Sequence, residues 1–88
     1  MSCTVRIASP LRSYTRGAAS VAAAGSTVAE VLADLEQRFP GMRFRMIDEQ
    51  DRIRRHMRVF VNEHEAPTLA APVAAGDQVH LICALSGG

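Results

Sequence analysis

The chain has no lysine and no tryptophan, and all ten of its basic residues are arginine. With no ε-amine it cannot form a Lys-linked isopeptide chain with copies of itself, so in any conjugation to another molecule it acts only as the donor. Aromatic residues make up 5% of the chain, which leaves Val, Leu, Ile, Met and Ala to build the core. Net charge is +1. That argues against non-specific nucleic-acid binding, which depends on a concentrated basic surface. No apolar run reaches the ~20 residues needed to cross a bilayer. The first residues show no charged stretch followed by an apolar one, so no signal peptide and no membrane partner are expected. The expected location is the cytoplasm. The two cysteines, Cys3 and Cys83, sit in apolar stretches. They read as small buried hydrophobes in a reducing compartment, although one disulfide stays open if the first and last strands are neighbours.

The remaining composition fits one folded domain over residues 1–88. Of its 88 residues, 48% are hydrophobic, too many for a disordered chain. Cys3, Val5 and Ile7 alternate with Thr4 and Arg6, which predicts a half-buried strand. Residues 11–17 are polar and basic and read as a loop or hairpin connection. Ala18 to Ala24 reads as a second strand, ended by Gly25. Thr27-Val-Ala-Glu30 is a capping box, in which each side chain can satisfy the other residue's backbone N–H. The helix it predicts carries Val28, Val31, Leu32, Leu35 and Phe39 on one stripe and stops at Pro40-Gly41.

Met42 to Met57 mixes five arginines and three acids with apolar residues and reads as an irregular excursion that can include a short helical turn. Its charges form either a solvated face or an Arg-rich docking surface for an acidic partner; Asp48, Glu49 and Asp51 read as solvated. Arg58 to Asn62 predicts a strand, Asn62 to Glu65 a turn, and Ala75-Gly76-Asp77 a tight turn. Val79 to Leu85 predicts the last strand. It is apolar on both faces and therefore central or covered on both sides. The sum is one helix packed on a small mixed sheet, an α+β fold.

No catalytic constellation is visible. His56, His64 and His80 lack metal-ligand spacing with the cysteines, and there is no Gly-rich phosphate loop. A binding or carrier module is expected rather than an enzyme, with no bound cofactor or metal. The feature that carries chemistry is Gly87-Gly88, which follows an apolar strand. Lacking Cβ atoms, a Gly pair threads a narrow channel and leaves the last carbonyl carbon open on both faces. The Gly88 carboxylate, ionised at neutral pH, can attack the α-phosphate of ATP in a partner enzyme. Ala84, Leu85, Ser86 and Gly87 then form a flexible tail over 84–88 whose extended reach is ~17 Å. Ile82, His80, Phe60 and Arg58 are the candidates for partner docking.

These motifs resemble the ubiquitin-like sulfur carriers. The resemblance lies in the strand order, in Val59-Phe-Val-Asn62 before an acidic turn, and in Ala75-Gly-Asp-Gln-Val79 leading to the Gly pair. Leu11-Arg12, Asp34-Leu35-Glu36 and Arg58-Val-Phe-Val-Asn62-Glu63 are most similar to the cysteine-synthesis carriers of actinobacteria, and the molybdopterin synthase small subunits come next. The resemblance implies a β-grasp fold with four to five strands and one main helix. It also implies that an E1-like enzyme uses ATP to adenylate Gly88, and that a thiocarboxylate formed there delivers sulfur. The implied acceptor is a pyridoxal-phosphate cysteine synthase or a molybdopterin synthase large subunit, with a metalloprotease releasing product in the cysteine route. Ala84-Leu85-Ser86 departs from the Pro and Val or Ala often found there, which leaves the acceptor open. Two other readings share the residues: a protein modifier joined through Gly88, and an interaction module with an inert tail.

Overall fold

The computed structural model describes residues 2–83. Strand β1, Ser2–Ile7, buries Cys3, Val5 and Ile7 and turns the residues between them to solvent. It pairs antiparallel with β2, Ser20–Ala24, and parallel with β5, Gln78–Cys83. β5 pairs antiparallel with β3, Met57–Val61, and β3 with the two-residue β4, His64–Glu65. The sheet order is β2-β1-β5-β3-β4. The last strand in the sequence is thus the central one.

Helix α1, Val28–Arg38, crosses one face of this sheet. Its stripe of Val28, Val31, Leu32 and Leu35 is sealed from solvent, with Phe39 half-buried at the end. Each such side chain contributes about 1.5–3 kcal/mol on burial. Thr27 caps the helix as expected, its Oγ1 accepting from the Glu30 N–H at 3.2 Å. The reciprocal bond differs. Glu30 Oε1 accepts from the N–H and the hydroxyl of Ser26, at 2.8 and 2.9 Å, and not from Thr27. Gly25 turns the chain at a left-handed φ of 153°, so that Ser26 offers the carboxylate two donors. A Cβ at Gly25 would lie 2.7 Å from the Val31 backbone nitrogen, so no other residue fits there without a shift.

Several stretches are more ordered than their composition implied. Residues 11–17 are not a plain loop. A 3-10 turn over Ser9–Leu11 drives Leu11 fully into the core, and Thr15 is buried with its hydroxyl bonded to the Ala18 and Arg12 carbonyls. Residues 42–57 contain a second helix, α2, Met42–Met46, which buries Met42 and Met46. Its N-terminus is capped from α1, as the Glu36 carboxylate accepts from the N–H groups of Gly41 and Arg43 at 3.0 Å each. These bonds to Gly41 and Arg43 hold the Glu36 carboxyl below its ordinary range.

Asp48 is not merely solvated. Its carboxylate accepts from the N–H groups of Arg52 and Gln50 and ties the loop between the bridged residues Ile47 and Ile53. Residues 62–65 are the turn and second arm of a hairpin, with Asn62 at a left-handed φ of 56°.

The core is one cluster between the sheet and the two helices. The two cysteines take no part in a disulfide. β1 and β5 are neighbours, but their register sets Thr4 beside Gln78. Cys3 therefore lies some five to six residues of strand from Cys83, about 20 Å, and both thiols are free. Among the described residues no helix is long and apolar enough to cross a membrane.

Candidate functional site at the end of the central strand

The start of β5 is fixed before its end is free to act. Asn62 Nδ2 donates to Asp77 Oδ1 at 3.0 Å, and Asn62 Oδ1 accepts from the Gln78 N–H at 3.0 Å. Asp77 Oδ2 also accepts from the Ala74 N–H at 2.8 Å. That bond first, and the Asn62 amide second, push the Asp77 carboxyl below its usual range. The turn at Ala75-Gly76 is thereby locked, and β5 enters the sheet in a set register between β1 and β3.

At the other end, the Ala8 N–H donates to the Leu81 carbonyl at 3.2 Å, and Cys83 stands opposite Met57. The described part of β5 ends at Cys83, between the end of β1 and the start of β3. Ala84, Leu85, Ser86, Gly87 and Gly88, expected as the threading tail and reacting terminus, lie outside the described residues.

The four candidate docking residues do come together. Arg58 stands opposite Ile82, and Phe60 opposite His80. Directly opposed residues of paired strands share one face, so all four lie on the side of the sheet away from α1. Val79 and Leu81 occupy the sealed side, whereas Ile82 retains 38% exposure. Of the two alternatives expected for β5, central or covered on both sides, the first holds: it is the central strand, and its outer face is open among the described residues. Arg58 Nε lies 3.4 Å from Glu65 Oε2, with both groups largely in solvent, which makes a weak pair. Arg58 is oriented instead by bonds from Nη1 to the Arg55 and Met57 carbonyls at 3.0 Å.

Sequence reasoning missed other residues of this region. Arg6 stands beside His80, because β1 runs parallel to β5. Its outward direction was readable from strand alternation, but its neighbour was not. Phe44, the most exposed large hydrophobic side chain at 62%, lies beneath the Arg54 guanidinium, 4.5 Å from the ring centroid. His56, His64 and His80 do not gather. Among the described residues no three metal-ligating side chains converge.

One main helix laid over a five-stranded mixed sheet, with the final strand at its centre, defines a ubiquitin-like β-grasp domain. Residues 5–88 match the ThiS family, and the chain belongs to this family of ubiquitin-like sulfur carriers. It is 34% identical over 93 aligned residues, covering all of both chains, to a protein of Mycobacterium tuberculosis named sulfur carrier protein CysO. Among solved structures it is similar to the chain matched in the crystal structure of the Amycolatopsis orientalis BexX/CysO complex, with a TM-score of 0.91 and 36% identity. That match covers 98% of this chain and 99% of the other. SAMP1 from Haloferax volcanii superposes with a TM-score of 0.84 at 25% identity, covering both chains in full.

Proposed function

We infer that this chain is a sulfur carrier whose cargo is held on the Gly88 carbonyl. One observation carries the reading. The full-length likeness to sulfur carrier proteins runs through the central strand to the Gly pair, with the family match ending at Gly88. A Gly88 carboxylate oxygen attacks the α-phosphorus of ATP held by an E1-like enzyme, and pyrophosphate departs. Sulfide then attacks the acyl carbon and AMP departs, leaving a thiocarboxylate. If the sulfur comes from a persulfide, the product is an acyl disulfide, which a thiol of the partner must cleave.

The thiocarboxylate donates sulfur to a biosynthetic acceptor in the cytoplasm. The resemblance to CysO favours a cysteine route, with a pyridoxal-phosphate synthase as acceptor. A CysO chain has been crystallised in complex with BexX, which supports action through a protein partner. The carrier performs no chemistry with its own side chains; it presents an end.

Intact mass spectrometry tests this on protein co-expressed with its native adenylating enzyme. The expected product has one terminal oxygen exchanged for sulfur. Covalent adducts to lysines of other proteins, with no thiocarboxylate, would instead make the chain a modifier and overturn the reading.

A further inference from the structure

The arginines of this protein fall into two groups. Arg38, Arg43, Arg52 and Arg58 each face a carboxylate, from Asp34, Asp51, Asp48 and Glu65. Five others have no acidic partner among the described residues, and they flank the described end of β5. On one side Arg6 and Arg12 line a hollow with His80 and Ile82. On the other, Arg45, Arg54 and Arg55 line a second hollow with Cys83 itself. Neither lining contains an acidic residue. (Arg16, also unpaired, sits in the turn before β2.)

Two of these side chains are held in place. Arg12 Nε donates to the Ile7 carbonyl at 3.0 Å, and Arg54 Nε donates to the Phe44 carbonyl while its guanidinium stacks on the Phe44 ring. The cationic groups are thus fixed by neutral partners and form no ion pair, although Arg54 still feels the Asp48 carboxylate at longer range.

We propose that these arginines form a collar that docks against an acidic rim at the mouth of the partner enzyme's active-site channel. The proposal rests on the carrier reading, and geometry links the two. Five residues beyond Cys83 reach ~17 Å at full extension. A terminus buried in a channel therefore brings the base of the tail up to the channel's mouth, and the collar with it. Positive charge there raises the association rate and fixes orientation. With a net charge of only +1, the rest of the molecule balances the collar. That favours a local carboxylate rim over an extended polyanion such as RNA.

The test compares wild type, R45E/R55E, R52E and a Gly88 deletion with the native adenylating enzyme, measuring Kd across a salt series and adenylation turnover. The side chains of Arg45 and Arg55 are exposed and make no hydrogen bond or ion pair among the described residues; their bonds, to the Gly41 carbonyl and from Arg58, are through the backbone, so their reversal leaves the fold intact, which circular dichroism checks. R45E/R55E is expected to weaken binding by about tenfold or more and to flatten its salt dependence. Turnover at saturation should persist. R52E, reversed outside both hollows, should bind as wild type does. The Gly88 deletion should bind but not be adenylated. Wild-type affinity and salt slope in R45E/R55E would overturn the collar while leaving the carrier reading intact. Absence of wild-type adenylation would overturn both. Tight binding of poly-U by wild type, lost in R45E/R55E, would assign the collar to nucleic acid instead.

Discussion

On the inner face of β5, Val79 and Leu81 are all but sealed beneath α1. One residue along, on the outer face, His80 is half-buried and Ile82 keeps 38% of its surface in solvent. The same strand thus serves two purposes. Its inner residues hold the domain together, and its outer residues, with Phe60 and Arg58 across the ladder, lie under no other element among the described residues. The strand sits at the centre of the sheet with one face open, and it carries the end on which the chemistry is proposed to occur. Rigid support from β1 and β3 means that a partner meets a fixed surface with a short reach beyond it.

The contrast can be broken from either side. The largest effect belongs to the inner side. Leu32→Ala removes a fully buried side chain from α1 and is expected to cost about 2–5 kcal/mol in chemical denaturation. A loss below 1 kcal/mol would mean that the helix does not seal the sheet as described. Next is Gly25→Ala, which forces a Cβ against the Val31 nitrogen at a left-handed φ. It should cost about 1–3 kcal/mol in the same measurement.

Glu36→Gln probes the link between the helices, and its effect depends on pH. The Glu36 carboxyl is held below its ordinary range by the Gly41 and Arg43 N–H groups. Its stabilising contribution is therefore full above the ordinary glutamate range and fades as pH falls through the lowered folded value. Thermal melts should show the variant below wild type at neutral pH, with the gap closing in acid. A gap that widened in acid would contradict the capping role.

The smallest effect on stability is expected on the open face. Ile82→Ser should change it by less than about 0.5 kcal/mol while weakening association with the partner enzyme in a binding titration.

Much of this architecture was legible because its signals are local. The Thr27 cap, the Val28-to-Leu35 stripe and the alternation of β1 each depend on residues within one element. The shared face of Ile82 and His80 was also legible from strand alternation, whereas their pairing with Arg58 and Phe60 needed the sheet register. What stayed hidden depends on contacts distant in sequence. Leu11 reads as part of a polar loop until the 3-10 turn points it inward. Helix α2 is only five residues long and takes its cap from Glu36 in another helix, so no pattern within it announces its start. The two groups of arginines are indistinguishable in sequence. Arg52 comes within ion-pair distance of Asp48, whereas Arg54 feels that carboxylate only at longer range and packs on Phe44. The openness of β5's second face was left undecided because an apolar residue reads the same whether another layer of the protein covers it or nothing does.

The most direct test separates the end of the chain from its body. Gly88 has no side chain to pack, so deleting it should leave the thermal midpoint unchanged. Sulfur loading by the adenylating enzyme, ATP and a sulfide source should fall to nothing. Loading that survives the deletion would contradict the assignment of the cargo to the Gly88 carbonyl.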